Sequence, residues 1–169
     1  MSKAFTKDDA EEESLVLPSR RPLPPGSNNY VTPRGLESLR AELRRMNDER
    51  GLHVDVGGQS ETDRSRALAT LHTRVRELEE RIASAIPIDP TALPLPRDEV
   101  RFGARVTVRG ETGGDRHYEI VGVDEADAAT GRVAFMAPIA RALLGKRVGD
   151  VVTFRTPRGE EELEVVAIA

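Results

Sequence analysis

Two apolar seams joined by a short glycine-rich turn constrain this chain more than any other feature. In YVTPRGLESLRAELRRMNDERG, Leu36, Leu39, Leu43 and Met46 recur at steps of three and four. In ETDRSRALATLHTRVRELEERIASAI the same steps carry Leu68, Leu71, Val75, Leu78, Ile82 and Ala85 without a break. Such alternation keeps apolar side chains on one narrow stripe of a helix. Two stripes a short turn apart bury each other best when the helices fold back antiparallel. Thr32 is a good N-cap, Pro33 suits the first helical position, and Gly51 is a natural stop. Pro87 ends the second helix. The first arm, about 18 residues, would span about 27 Å and the second, about 26 residues, about 39 Å. The first is therefore shorter, unless the segment LHVDV extends it. On the wet flanks Glu37 can meet Arg40, Glu42 can meet Arg45, and Glu77 can meet Arg81.

Beyond the second seam the apolar period changes from helical to two. PIDPTALPLPRDEV is a proline-rich linker, residues 87–100. After it ARVTVRG, RHYEIVGVD, RVAFMA, VVTFRT and EELEVVAIA read as strands, separated by turn residues such as Thr112-Gly113-Gly114 and Pro157-Arg158-Gly159. One short helix interrupts them, PIARALLGK, with Pro138 at its start and Gly145 near its end. The fold class is α+β: an N-terminal antiparallel helical hairpin over residues 30–86, its tip near 51–62, and a C-terminal part over 101–169. In the latter one helix packs on a mostly antiparallel sheet. Residues 1–29 run from an acidic cluster into PSRRPLPPGSNN. That composition buries too little apolar surface to offset ordering and reads as a disordered tail.

Composition removes several function classes. There is no Cys, which excludes disulfides, thiolate zinc sites and cysteine nucleophiles. Nothing approaches an apolar run long enough to span a membrane, and the acidic N-terminus is no signal peptide. The chain reads as soluble and cytoplasmic. A net charge of −4 argues against autonomous nucleic-acid binding. Arg34, Arg40, Arg44, Arg45 and Arg50 give the first arm a basic look, but acids interleave with them, as on a solvated face. His53, His72 and His117 are scattered, with no metal spacing.

The turn GGQSETDRS carries the chemistry worth weighing. Ser60 with Asp63 three positions on is a capping-box-like arrangement, and Glu61 and Asp63 in the first turn complement the helix dipole. The capping reading comes first for these acids, and the reading of them as reagents on the tip of a hairpin comes second. Asp55 lies just before the turn.

YVTPRGLESLRAEL resembles the opening of the Gre family of bacterial transcript cleavage factors. APIARALLGKRVGDVVTFRTPRGEEELEVVAI resembles the end of the same family. The run from Pro138 to Lys146, followed by Val148-Gly149-Asp150, is the most specific part. The segment FMAPIARALLGKRVGD is also similar to the regulator of nucleoside diphosphate kinase, a short-hairpin relative. The resemblance covers residues 30–169 and implies a coiled coil followed by a domain of FKBP-like topology. It implies a docking domain that binds bacterial RNA polymerase at the rim of the secondary channel, and a hairpin that enters the channel. The tip would then sit beside the RNA 3′ end and share the Mg²⁺ of the polymerase active site; the factor needs no cofactor or small-molecule substrate of its own and is not an enzyme by itself.

The family tip reads Gly-Asp-any-Ser-Glu-Asn. Gly57, Ser60 and Glu61 match it, Gly58 stands where the first acid is expected, and Thr62 replaces the Asn. Glu61 is the implied tip acid, Asp63 a possible substitute, and Asp55 a weaker one. The docking loop corresponds to Phe135-Met136-Ala137-Pro138, with Arg141 on the helix behind it; Met136, Ala137, Pro138 and Arg141 are the implied partner-binding residues. An FKBP-like domain raises prolyl isomerisation, but that chemistry wants an aromatic-lined pocket, and this part has only Phe102, Tyr118, Phe135 and Phe154. Three functions stand open: a cleavage-stimulating elongation factor, a cleavage-deficient channel binder that inhibits or tunes transcription, and a self-associating coiled-coil scaffold without a polymerase role.

Overall fold

The computed structural model describes residues 20, 22–55, 60–92, 98–111, 113–157 and 159–169, with backbone only for 53–55. Two helices of equal length form the hairpin, α1 (Pro33–Asp55) and α2 (Glu61–Ala83), each of 23 residues. Each arm is therefore about 34 Å long. Thr32 caps α1 as expected: its hydroxyl accepts from the Gly35 N–H at 3.0 Å, and its carbonyl accepts from Leu36 N–H at 2.9 Å. Gly51 does not stop α1. It keeps a negative φ inside the helix, and the LHVD residues extend the arm. Glycine ends a helix by turning left-handed; held right-handed it only weakens it, by about 1 kcal/mol.

The second arm is shorter than its seam suggests. It closes at Ser84, whose N–H donates to the Glu80 carbonyl, and Ala85 leaves the helix to open strand β2 (Ala85–Pro87). This strand pairs in parallel with β1 (Asn29–Val31), Tyr30 opposite Ile86. Parallel neighbours need a long crossover, and here the whole hairpin supplies it. Neither strand is readable from three residues of sequence. Val31, Leu39 and Leu78 are fully or nearly buried, with Leu36, Leu43, Met46, Ile82 and Ala85 packed around them. Near the tip Leu52 is 68% exposed. The hairpin thus draws its packing from its base, where the two seams bury one another inside one chain.

Two flank pairings, those of Glu37 and Glu42, differ from expectation. Arg44, not Arg40, holds Glu37, at 2.8 Å, and this hydrogen bond keeps the exposed Glu37 carboxyl below its usual range. Arg76 pairs with Glu80 one turn on, at 3.3 Å. Glu42 and Arg81 take partners outside the hairpin, described below.

The C-terminal part is one five-stranded sheet in the order β5-β4-β3-β7-β6. Its strands are β3 (Arg105–Gly110), β4 (Asp115–Val121), β5 (Arg132–Ala134), β6 (Val151–Thr156) and β7 (Gly159–Ile168). All neighbours are antiparallel except β4 and β5. All five expected strands are present, but β4 stops earlier than RHYEIVGVD suggests: Val123–Glu125 form a 3-10 turn. At the break stands Gly122, where a Cβ would sit 2.6 Å from the Tyr30 carbonyl oxygen of β1, so the base of the hairpin approaches the chain there. Helix α3 (Pro138–Leu143) packs on β5 and β6. Val106, Val108, Ile120, Ala140, Leu143, Val152, Leu163 and Val165 make the core. Val106 and Val108, like Leu163 and Val165, face inward at a period of two, as the alternation requires.

Candidate functional site

At the tip, Ser60 has the extended backbone of an N-cap (φ −60°, ψ 143°), and its hydroxyl oxygen accepts from the Asp63 N–H at 3.2 Å. The same hydroxyl donates to Asp63 Oδ2 at 2.8 Å. Asp63 is therefore engaged in starting α2. Glu61, one residue past the cap, is exposed and makes no hydrogen bond or ion pair among the described residues. The structure separates two acids that looked alike in sequence: one closes a local ring, the other faces solvent. Asp55 ends α1, and its side chain lies outside the described residues, as do Gly57 and Gly58. No group of three or more His, Asp or Glu among the described residues could hold a metal ion.

The second candidate surface lies an arm's length away, at the start of α3. The Ala137 N–H donates to the Ala134 carbonyl at 2.8 Å, and the Ala137 carbonyl accepts from Arg141 N–H at 2.9 Å. That tight turn brings Met136, Ala137, Pro138 and Arg141 together. Ala137 packs against the sheet core, Met136 is half-buried outside it, and Pro138 and Arg141 are exposed. Phe135 anchors the turn. Its ring meets Tyr30 of β1 edge-on (centroids 5.4 Å apart) and Phe102 at 5.9 Å. Such edge-to-face contacts add about 0.5–1.5 kcal/mol beyond burial. The three rings thus tie the loop before α3 to the base of the hairpin.

Between the two surfaces lies a joint that the sequence reading missed. Glu125, on the turn after β4, accepts from the Thr32 N–H at 2.9 Å, from the Thr32 hydroxyl, and from the Gly122 N–H at 3.2 Å. An anion from the sheet domain thereby sits at the N-terminus of α1, where the helix dipole favours it. Gly35 makes room for it, since a Cβ there would overlap the Glu125 carboxyl group. Asn29 holds the other helix at the same base: its side-chain amide donates to the Arg81 carbonyl at 2.8 Å and to Ser84 Oγ at 3.1 Å. Beside it Arg81, 7% exposed, pairs with Asp124 at 3.5 Å. Part of the segment read as a tail is thus fixed in place, with Asn29 buried and Arg20 bonded to Asp124. The one local hint was Gly35, an odd residue for the first turn of a helix otherwise rich in Leu, Glu and Arg.

No helix among the described residues is long and apolar enough to cross a membrane. The family model for the C-terminal part of transcription elongation factors GreA and GreB matches residues 95–169, which hold the whole sheet and α3. Transcription elongation factor GreB of Neisseria meningitidis serogroup B is 34% identical over 154 residues, covering 84% of this chain and 94% of the relative. The chain belongs to the Gre family. GreA of Brucella canis is 37% identical over 151 residues, covering 82% of this chain and 95% of the relative. The crystal structure of GreA factor homolog 1 of Thermus thermophilus overlaps at a TM-score of 0.40 with 23% identity, covering 85% of this chain and 99% of that one. As both Gre alignments span nearly the full relative, they take in the hairpin as well as the sheet domain.

Proposed function

We propose that this chain is an accessory factor of bacterial RNA polymerase. Its sheet domain, of FKBP-like topology, docks at the rim of the secondary channel through Met136, Ala137, Pro138 and Arg141. Its hairpin enters the channel and modulates elongation. Glu61 is the acid offered at the tip, beside the RNA 3′ end and the Mg²⁺ of the polymerase active site. The chain needs no cofactor of its own; a carboxylate oxygen is the hard ligand that Mg²⁺ prefers, and one or two added to a site already built are enough to matter. The observation that carries this reading is the exposed, unengaged Glu61 at the free end of a two-helix arm whose base is fixed to the docking domain.

A second reading is favoured by two specific features. Asp63 is bonded to Ser60 rather than offered beside Glu61, and Gly58 stands at the first-acid position. A single carboxylate on an arm of about 34 Å supports a channel binder that tunes transcription by occupancy, with little transcript cleavage. A self-associating scaffold loses much of its motive, because Leu36, Leu39, Leu43 and Met46 of one seam pack with Leu78 and Ile82 of the other within the chain.

The test uses backtracked polymerase complexes with end-labelled RNA. RNA shortening that vanishes with Glu61→Ala supports cleavage through Glu61. Binding without shortening, by wild type and variant alike, supports occupancy. No binding to polymerase refutes both.

A further inference from the structure

Four side chains from four separate parts of the chain meet at the base of the hairpin. Arg20 comes from the segment ahead of β1, Glu42 from α1, Arg81 from α2 and Asp124 from the turn after β4. Arg20 Nη1 donates to Asp124 Oδ1 at 2.5 Å, and Nη2 donates to both Glu42 carboxylate oxygens at 2.7 Å. Asp124, 8% exposed, forms an ion pair with Arg81 through its other oxygen at 3.5 Å, without a hydrogen bond between those two atoms. The four charges sum to zero, and the two members that are nearly buried, Arg81 and Asp124, are of opposite sign. Burial disfavours the Arg20 charge, yet the hydrogen bonds to Asp124 and Glu42 outweigh it and raise its pKa. Arg20 is thus one guanidinium fork with a nitrogen on each body of the protein. Pro22 and Leu23 continue from it along a groove beside Glu77, Glu80 and Ser84 of α2.

We propose that Arg20 is a positioning residue. Arg20, with the described residues 22–28 that lead from it into β1, is a strap that fastens the hairpin to the sheet domain and sets the direction in which the arms point. The strap lies ahead of the stretch, residues 30–169, whose motifs resemble the Gre family. Its leverage is geometric: on an arm of this length, a swing of about 10° at the base carries the tip about 6 Å. Glu125 at the N-terminus of α1, the Tyr30–Phe135 ring contact and the Arg81–Asp124 pair all hold the hairpin to the sheet domain at its base. Arg20 adds an attachment on the flank of α1, through Glu42, ten residues along the chain from Thr32. The fork is essential, because a lysine ammonium is a point charge and lacks the planar two-nitrogen geometry that grips two carboxylates at once.

The direct measurement is the distance distribution between two spin labels on the free protein. The chain has no native cysteine, so labels at exposed Ala69→Cys on α2 and Thr153→Cys on β6 report only the angle between hairpin and sheet. The expected result is a narrow distribution for the parent, at least twofold broadening in Arg20→Gln, and clear broadening in Arg20→Lys despite its retained charge. Helical content should be unchanged in all three, which separates loss of direction from loss of fold. Identical distributions in parent, Gln and Lys forms overturn the proposal. The consequence for function rests on the channel reading above: Arg20→Gln should lower the maximal effect on elongation at saturating factor at least threefold, while the half-saturating concentration stays the same. A parent protein with no effect on polymerase refutes the channel reading alone, because the distance measurement decides the strap without polymerase.

Discussion

Replacing Gly35 with alanine should destabilise this protein, although alanine is the better helix former. Gly35 is the third residue of α1. In an isolated helix the exchange would be favourable by about 0.5–1 kcal/mol. Here the new Cβ would overlap the carboxyl group of Glu125. That carboxyl is the far end of a flexible side chain, so it can swing away, but only by leaving the Thr32 N–H, the Thr32 hydroxyl and the Gly122 N–H. Hydrogen bonds to a charged group contribute about 1.5–3 kcal/mol each. With two of the three lost and partly replaced by water, and the propensity gain set against them, Gly35→Ala should cost about 1–3 kcal/mol. The sign should reverse once the carboxylate is gone. In a Glu125→Ala background, Gly35→Ala should be neutral or stabilising by up to about 1 kcal/mol. Urea unfolding of the four proteins, followed by far-ultraviolet circular dichroism, gives the coupling directly. A coupling below about 0.5 kcal/mol, the range expected for independent sites, or a stabilising Gly35→Ala in the parent, would refute the account of the joint.

Two further outcomes follow from the tip and the sheet. Ser60→Ala removes the N-cap of α2 and should cost about 1 kcal/mol, with amide exchange speeding up at residues 62–64; unchanged exchange there would mean that the Ser60–Asp63 ring contributes nothing. Acid should weaken the sheet through Asp127 and Asp115. Hydrogen bonds from Thr130, Arg132 and the Ala129 N–H hold Asp127 below its ordinary value of 3.8, and the hydrogen bond from Arg109 does the same for Asp115. A carboxyl lower in the folded state stabilises fully above its unfolded value and loses that contribution as pH falls through its folded one. The urea midpoint should therefore be insensitive to these groups near neutrality and fall below about pH 4. Asp127→Asn should flatten part of that fall, and a titration indistinguishable from the parent would contradict the assignment.

Much of the fold was legible because it is periodic. Leu39 and Leu78 lie where steps of three and four put them, and Val106, Val108, Leu163 and Val165 lie where a period of two puts them. The cap at Thr32 and the start of α3 at Pro138 were also local signals, written within a few residues. The errors arose where a local signal had two outcomes. Gly51 could stop a helix or sit within one, and here it keeps a negative φ while α1 runs on to Asp55. Ala85 fits the seam of α2, yet pairing with Asn29 drew it into a strand. At the tip, Ser60 and Asp63 form the ring their spacing suggested, and Glu61 stays outside it.

What no reading along the chain could supply is the joint. Thr32 and Glu125 are 93 residues apart, and Arg20 and Asp124 are 104 apart. Neither pair follows any period, because a single contact between two bodies has no repeat to reveal it. Periodic burial dictated that there would be a two-helix arm and a sheet domain, since each must hide a stripe or a face from water. The direction in which the arm points depends on a few buried charges and hydrogen bonds that exist only once both bodies are folded and pressed together.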